Sequence, residues 1–182
     1  MIYFLTNKRR AEIKEIALQE LKKANINTLP VDILSIINQH KNWKVVFTNN
    51  TDLVDAGQAK VLKKDDKYII VCHKQASKER KRWCISHEIG HILAGTQEEE
   101  ANYFTKQLLM PIAVLDLLNI RTVQQISAKC GISMEAAKIR QRDFIRHDNY
   151  KNKYGFTKHD MAFIKQFNKE FNNEFAEEFH IA

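Results

Sequence analysis

The chain has 182 residues, 44% of them hydrophobic, enough for one domain with a proper core or a catalytic body with a helical extension. No apolar run approaches the roughly 18–20 residues of a membrane helix, and Lys8-Arg9-Arg10 after Met1-Ile2-Tyr3-Phe4-Leu5 reverses the charge order of a secretory signal, so neither a membrane nor an export route is expected. Three scattered cysteines (Cys72, Cys84, Cys130) argue against a disulfide framework and for a reducing cytoplasm, while the net charge of +7 is concentrated between Lys138 and Lys158.

Taken in order, Arg9 to Ala24 places Ile13, Ile16, Ala17 and Leu21 at helical spacing, which predicts an amphipathic helix. Pro30-Val31-Asp32 opens a second, short helix, because proline suits a first helical turn. Trp43 to Thr48 is rich in valine and aromatic residues and reads as a strand. Ala59–Lys63 and Tyr68–Cys72, separated by Lys64-Asp65-Asp66-Lys67, read as a hairpin. Together they predict a small antiparallel sheet, with Tyr68–Cys72 as the edge that holds an extended substrate by strand addition.

Then comes His87-Glu88-Ile89-Gly90-His91. Residues four apart on a helix share a face, so His87 and His91 can point at one ion, with Glu88 about 100° round the helix from His87. From Ile85 to Gly95 the only charged residue is Glu88, and Ile85, Ile89, Ile92 and Leu93 make the other side apolar. Buried imidazoles and carboxylates are costly unless something satisfies them. Three protein ligands with one open position describe a catalytic zinc site, and Glu88 is the expected general base.

Gly95 stops this helix, and a second begins at Glu98 and runs to Met110, with Pro111 beyond. So short a hairpin sets an early glutamate of the second helix beside His91. Of Glu98, Glu99 and Glu100, only Glu100 shares a face with Phe104 and Leu108, the inward side, and it is the expected third ligand. Cys84 is expected to be a buried thiol, since His87, His91 and Glu100 already fill the ligand set. Tyr103, Tyr68 and His73 are candidates for stabilising an oxyanion.

Arg82-Trp83-Cys84-Ile85-Ser86-His87-Glu88-Ile89-Gly90-His91, Glu99-Glu100-Ala101-Asn102-Tyr103-Phe104 and Leu108-Leu109-Met110-Pro111 resemble the ImmA/IrrE-type metallopeptidases, closely from Asp52 to Pro111. Ser86 stands where many relatives have alanine. The resemblance implies a zinc endopeptidase, often carried by phages and integrative elements, whose better-understood members act against helix-turn-helix repressors. It carries His87, His91 and Glu100 over as ligands and Glu88 as general base.

Past Pro111, Thr122 to Ala137 resembles a helix-turn-helix, with Gly131 for the turn and Ser133 capping the following helix. Seven Lys/Arg against two Asp between Lys138 and Lys158 form a basic belt. The expected role is packing on the peptidase and recognition of a protein partner, with at most weak, non-specific nucleic-acid affinity. Phe163, Phe167, Phe171, Phe175 and Phe179 recur every four residues, a stripe that winds round a C-terminal helix.

The expected architecture is thus α+β: a small antiparallel sheet packed on a zincin-like His-Glu-x-x-His helix over residues 1–115, then a mostly helical region over 116–182. The expected function is a cytoplasmic Zn2+ endopeptidase acting on a protein, in particular a helix-turn-helix repressor. The competing class is a DNA- or protein-binding regulator in which the zinc body is scaffold.

Overall fold

Thr6 starts the first helix by accepting a hydrogen bond from the Arg9 amide with its hydroxyl, and α1 (Asn7–Lys23) then buries Ile13, Ala17 and Leu21. The computed structural model describes residues 5–171. Asp32 caps α2 (Ile33–Asn38), its carboxylate accepting from the Leu34 and Ser35 amides. Pro30 therefore lies just before this helix, not in its first turn.

The sheet is built from β1 (Trp43–Thr48), β2 (Ala59–Lys64) and β3 (Lys67–His73) in the order β1-β3-β2. It is mixed rather than antiparallel: β2 pairs antiparallel with β3, but β1 runs parallel to it, with Val45 beside Ile70. β3 is the central strand, which corrects its expected role as a substrate edge. Ile70, Val71 and Cys72 are consecutive and all buried, the continuous pattern of a strand covered on both faces. The open edge next to the His-Glu helix belongs to β2. The His73 amide donates to Gln58 O at 2.9 Å, so alternate residues Ala59, Val61 and Lys63 turn their backbone groups outward.

Two helices follow as a tight hairpin: α3 (Lys78–Leu93) and α4 (Glu98–Leu109). Next come α5 (Ile112–Leu117), α6 (Val123–Cys130), α7 (Met134–Tyr154) and α8 (Lys158–Gln166). One core takes in Leu21 of α1, Ile70 of β3, Ile89 of α3, Phe104 of α4, Ile126 of α6 and Phe163 of α8, side chains from both sides of residue 115.

The helix-turn-helix-like segment has its expected turn and second cap, with a capping box at its start besides. Thr122 and Gln125 form a capping box, Gly131 takes the left-handed conformation at φ 61°, and the Ser133 hydroxyl caps α7. The phenylalanine stripe does not lie on one helix among the described residues. α8 ends at Gln166, Phe163 and Phe167 are buried, and a 3-10 turn (Asn168–Glu170) leads to Phe171. Phe175 and Phe179 lie outside the described residues. No described helix is long and apolar enough to cross a membrane.

Candidate metal centre

Ser77 caps α3, and the helix turns Ile85 and Ile89 into the core. The opposite side presents His87, Glu88 and His91 toward β2 and α4. His87 Nε2 and His91 Nε2 are 3.1 Å apart, with the rings edge to face. His91 Nδ1 lies 3.3 Å from Gly95 O, so Nδ1 carries the proton and Nε2 offers its lone pair. His87 Nδ1 is buried without a hydrogen-bond partner among the described residues. Burial, and the neighbouring His91, hold His87 below the ordinary imidazole pKa, which favours the neutral form a metal requires.

The carboxylate that stands beside both histidines is that of Glu98, and the expected donor Glu100 stands elsewhere. Glu98 Oε2 is 3.2 Å from His87 Nε2, and its Oε1 is 3.3 Å from His91 Nε2. Glu100 is buried as its helical phase predicts, but its carboxylate Oε1 accepts from Arg9 Nε at 2.6 Å, beside Gly95. The inward face of α4, with Glu100, Phe104 and Leu108, packs on the core; the face turned to the histidines is the one through Glu98 and Asn102. The packing face and the face turned to the histidines are different sectors of one helix, and helical phase alone picks out the first.

Glu88 lies beside the histidines, and the Val61 amide of β2 donates to its Oε2 at 2.8 Å. Burial pushes its carboxyl above the usual carboxylate range, partly offset by that amide. A small cleft opens here, lined by Gln58, Ala59, Trp83, His87, Glu88 and Asn102 among others. Cys84 is a protonated thiol, its pKa raised by burial, with Sγ 3.8 Å from Gly57 O. Tyr68, Tyr103 and His73 do not line the cleft: Tyr68 packs edge-on against Trp43, Tyr103 lies under the Arg10 guanidinium, and His73 is buried at the end of β3.

Residues 39–142 match the family described as the IrrE N-terminal-like domain, a peptidase family. The chain belongs to this family. The match covers more than half of the 182 residues, running from before β1 into α7, and it agrees with the resemblance carried by the His-Glu helix and Leu108-Leu109-Met110-Pro111. No curated protein matches the chain significantly. The domain is a metallopeptidase-like one, and such a family implies a metal, typically zinc. The donor set fits. Two imidazole nitrogens and a carboxylate, all within 4.8 Å of one another, are zinc-type ligands.

Proposed function

We propose that this chain is a zinc-dependent endopeptidase, with His87, His91 and Glu98 holding the ion and Glu88 acting as general base. The observation that carries this reading is the convergence of His87 Nε2, His91 Nε2 and the Glu98 carboxylate at separations of 3.1–3.3 Å beside the half-buried Glu88. Zinc in such a site supplies Lewis-acid polarisation of a peptide carbonyl and lowers the pKa of water to about 7. Glu88 takes the proton of the attacking water and delivers it to the departing amine nitrogen. The Val61 amide fixes Oε2 of Glu88 and so orients the carboxylate. The outward backbone groups of Ala59 and Lys63 offer an extended peptide a strand to pair with, beside the cleft.

The substrate is a protein in the cytoplasm, and the resemblance of residues 52–111 to anti-repressor proteases points to a helix-turn-helix repressor. Glu88→Gln tests the chemistry, because a neutral amide cannot accept the water's proton. The variant is expected to keep one zinc per chain while cleavage of a repressor encoded beside the gene, assayed by co-expression, falls by about 10²–10⁴-fold. Cleavage at the wild-type rate would remove Glu88 from the mechanism.

A further inference from the structure

Arg9 lies on α1, 91 residues from Glu100 in sequence, yet its guanidinium reaches into the turn that joins the two ligand-bearing helices. Its Nε donates to Glu100 Oε1 at 2.6 Å, its Nη2 donates to the Ala94 carbonyl, and its Nη1 donates to Glu12 Oε2 at 3.0 Å. Ala94 is the C-cap of α3, and the next carbonyl, Gly95 O, is the partner of His91 Nδ1. Gly95 has φ 126°, and a β-carbon there would lie 1.9 Å from Glu100 Oε2, so the Glu100 carboxylate occupies the space a side chain would need.

We propose that Arg9 is a positioning residue for the metal centre: it ties the end of α3, which carries His91, to the start of α4, which carries Glu98. An arginine suits this task because its planar fork holds acceptors on two elements in fixed relative positions, which a single ammonium cannot do. Glu100 is the other half of the clamp. It is buried and ion-paired with Arg9; the interaction in turn raises the Arg9 pKa, chiefly through that hydrogen bond. The path to the ligand is short: Arg9 to the Ala94 carbonyl, then Gly95 O to His91 Nδ1, which sets the ring's tautomer and tilt. None of these contacts touches the reacting atoms.

This inference rests on the zinc reading above, and the test separates the two. Zinc affinity is measured by chelator competition, and ligand geometry by the absorption spectrum of the cobalt-substituted protein. Arg9→Ala is expected to bind one zinc per chain at saturation, but about 10–100-fold more weakly, with an altered cobalt spectrum. Arg9→Lys should fall between Arg9→Ala and wild type, and it decides the matter by the same two readouts if Arg9→Ala does not fold. Glu100→Ala should resemble Arg9→Ala, with the double variant little worse than either, as expected of partners in one contact. Wild-type affinity and an unchanged spectrum in a folded Arg9 variant would reduce Arg9 to a structural role and overturn the proposal. Complete loss of zinc in Glu100→Ala but not in Arg9→Ala would overturn it too, by making Glu100 a ligand. Zinc retained by His87→Ala defeats the metal reading itself, a result independent of Arg9.

Discussion

A β-carbon at Gly90 would lie 2.9 Å from the Cα of Ala101 and 3.0 Å from its carbonyl oxygen. The backbones of α3 and α4 therefore touch at a point next to His91 and three residues beyond Glu98. No side chain separates them there, and that close approach brings the α4 face bearing Glu98 to the α3 face bearing the histidines.

Two effects of opposite sign meet in Gly90→Ala. Helix propensity alone favours alanine by about 1 kcal/mol. Pushing a methyl group into backbone that cannot swing aside costs about 1–3 kcal/mol, and here the neighbour is Ala101 backbone. The steric cost is expected to win. Urea unfolding should show net destabilisation, and chelator competition should show weaker zinc binding because Glu98 is displaced. A more stable variant with wild-type zinc affinity would refute this account of the helix pair.

Glu98 and Glu100 make separable predictions. Glu98→Ala removes a donor placed 3.2–3.3 Å from both histidine nitrogens, and the protein should lose zinc on dialysis against a weak chelator. Glu100→Ala removes a carboxylate paired with Arg9 and should retain zinc, less tightly. Elemental analysis distinguishes them, and the reverse pattern would return the third-ligand role to Glu100.

Much of this was legible in the sequence where local chemistry decides. The His87–His91 spacing, the Gly95 stop, the Gly131 turn and the Ser133 cap each reflect a neighbour within a turn, and each stands where the pattern puts it. What was not legible depended on contacts between distant segments. β1 pairs parallel with β3, so the strand that precedes the His-Glu helix is central and β2 becomes the edge; the unbroken apolar run from Tyr68 to Cys72 was the available signal. Glu100 does turn inward, but what waits there is Arg9 from α1, which no periodicity announces. Arg140 counts as a basic residue in composition and is only 2% exposed in the fold.

A second charge cluster predicts acid sensitivity. Asp116 of α5 is hydrogen-bonded by Lys151 at 2.5 Å, by His147 at 3.1 Å and by Arg121. Burial tends to raise its carboxyl pKa, but the bonds from Lys151, His147 and Arg121 outweigh that and hold it below the usual carboxylate range. Burial also holds His147 below the ordinary imidazole value, outweighing the hydrogen bond and charge of Asp116, with a smaller contribution from the Lys151 charge. A depressed folded-state pKa gives stability that is present above the unfolded value and lost as pH falls. For His147 the loss therefore begins below about pH 6.5, and for Asp116 below about pH 4, each pK unit of depression being worth about 1.4 kcal/mol. His147→Gln, which keeps a donor to Asp116 but does not titrate, should lose less stability than wild type between pH 7 and 5. His87 and His159, also depressed by burial, should preserve part of the decline. Urea midpoints of the metal-free proteins at the two pH values measure this, and an equal drop in both would exclude His147 as a contributor.

The basic belt of α7 divides into a structural part and an exposed part. Arg140 is fully buried: its Nε donates to Met110 O at 2.7 Å, and its Nη1 donates to Asp143 Oδ2 at 3.2 Å. Removing one member of such a buried pair costs about 3–5 kcal/mol, so Arg140→Glu should unfold the protein rather than report on a partner. Lys138 and Arg142 are exposed one turn apart, with Ile139 and Ile145 uncovered nearby. These are the residues to reverse. If this face recognises the protein substrate, Lys138→Glu combined with Arg142→Glu should leave zinc content and the urea midpoint near wild type while repressor cleavage falls by about tenfold or more. Each exposed charge acts mainly on association and is screened by salt, so the defect should shrink as ionic strength rises. Any DNA affinity of the wild type should be weak, indifferent to sequence and steeply salt-dependent. A gel shift showing tight, sequence-selective DNA binding at about 150 mM salt, abolished by the double reversal while cleavage is untouched, would instead assign this helix pair to a genomic site, because affinity that survives such screening cannot come from phosphate charge alone.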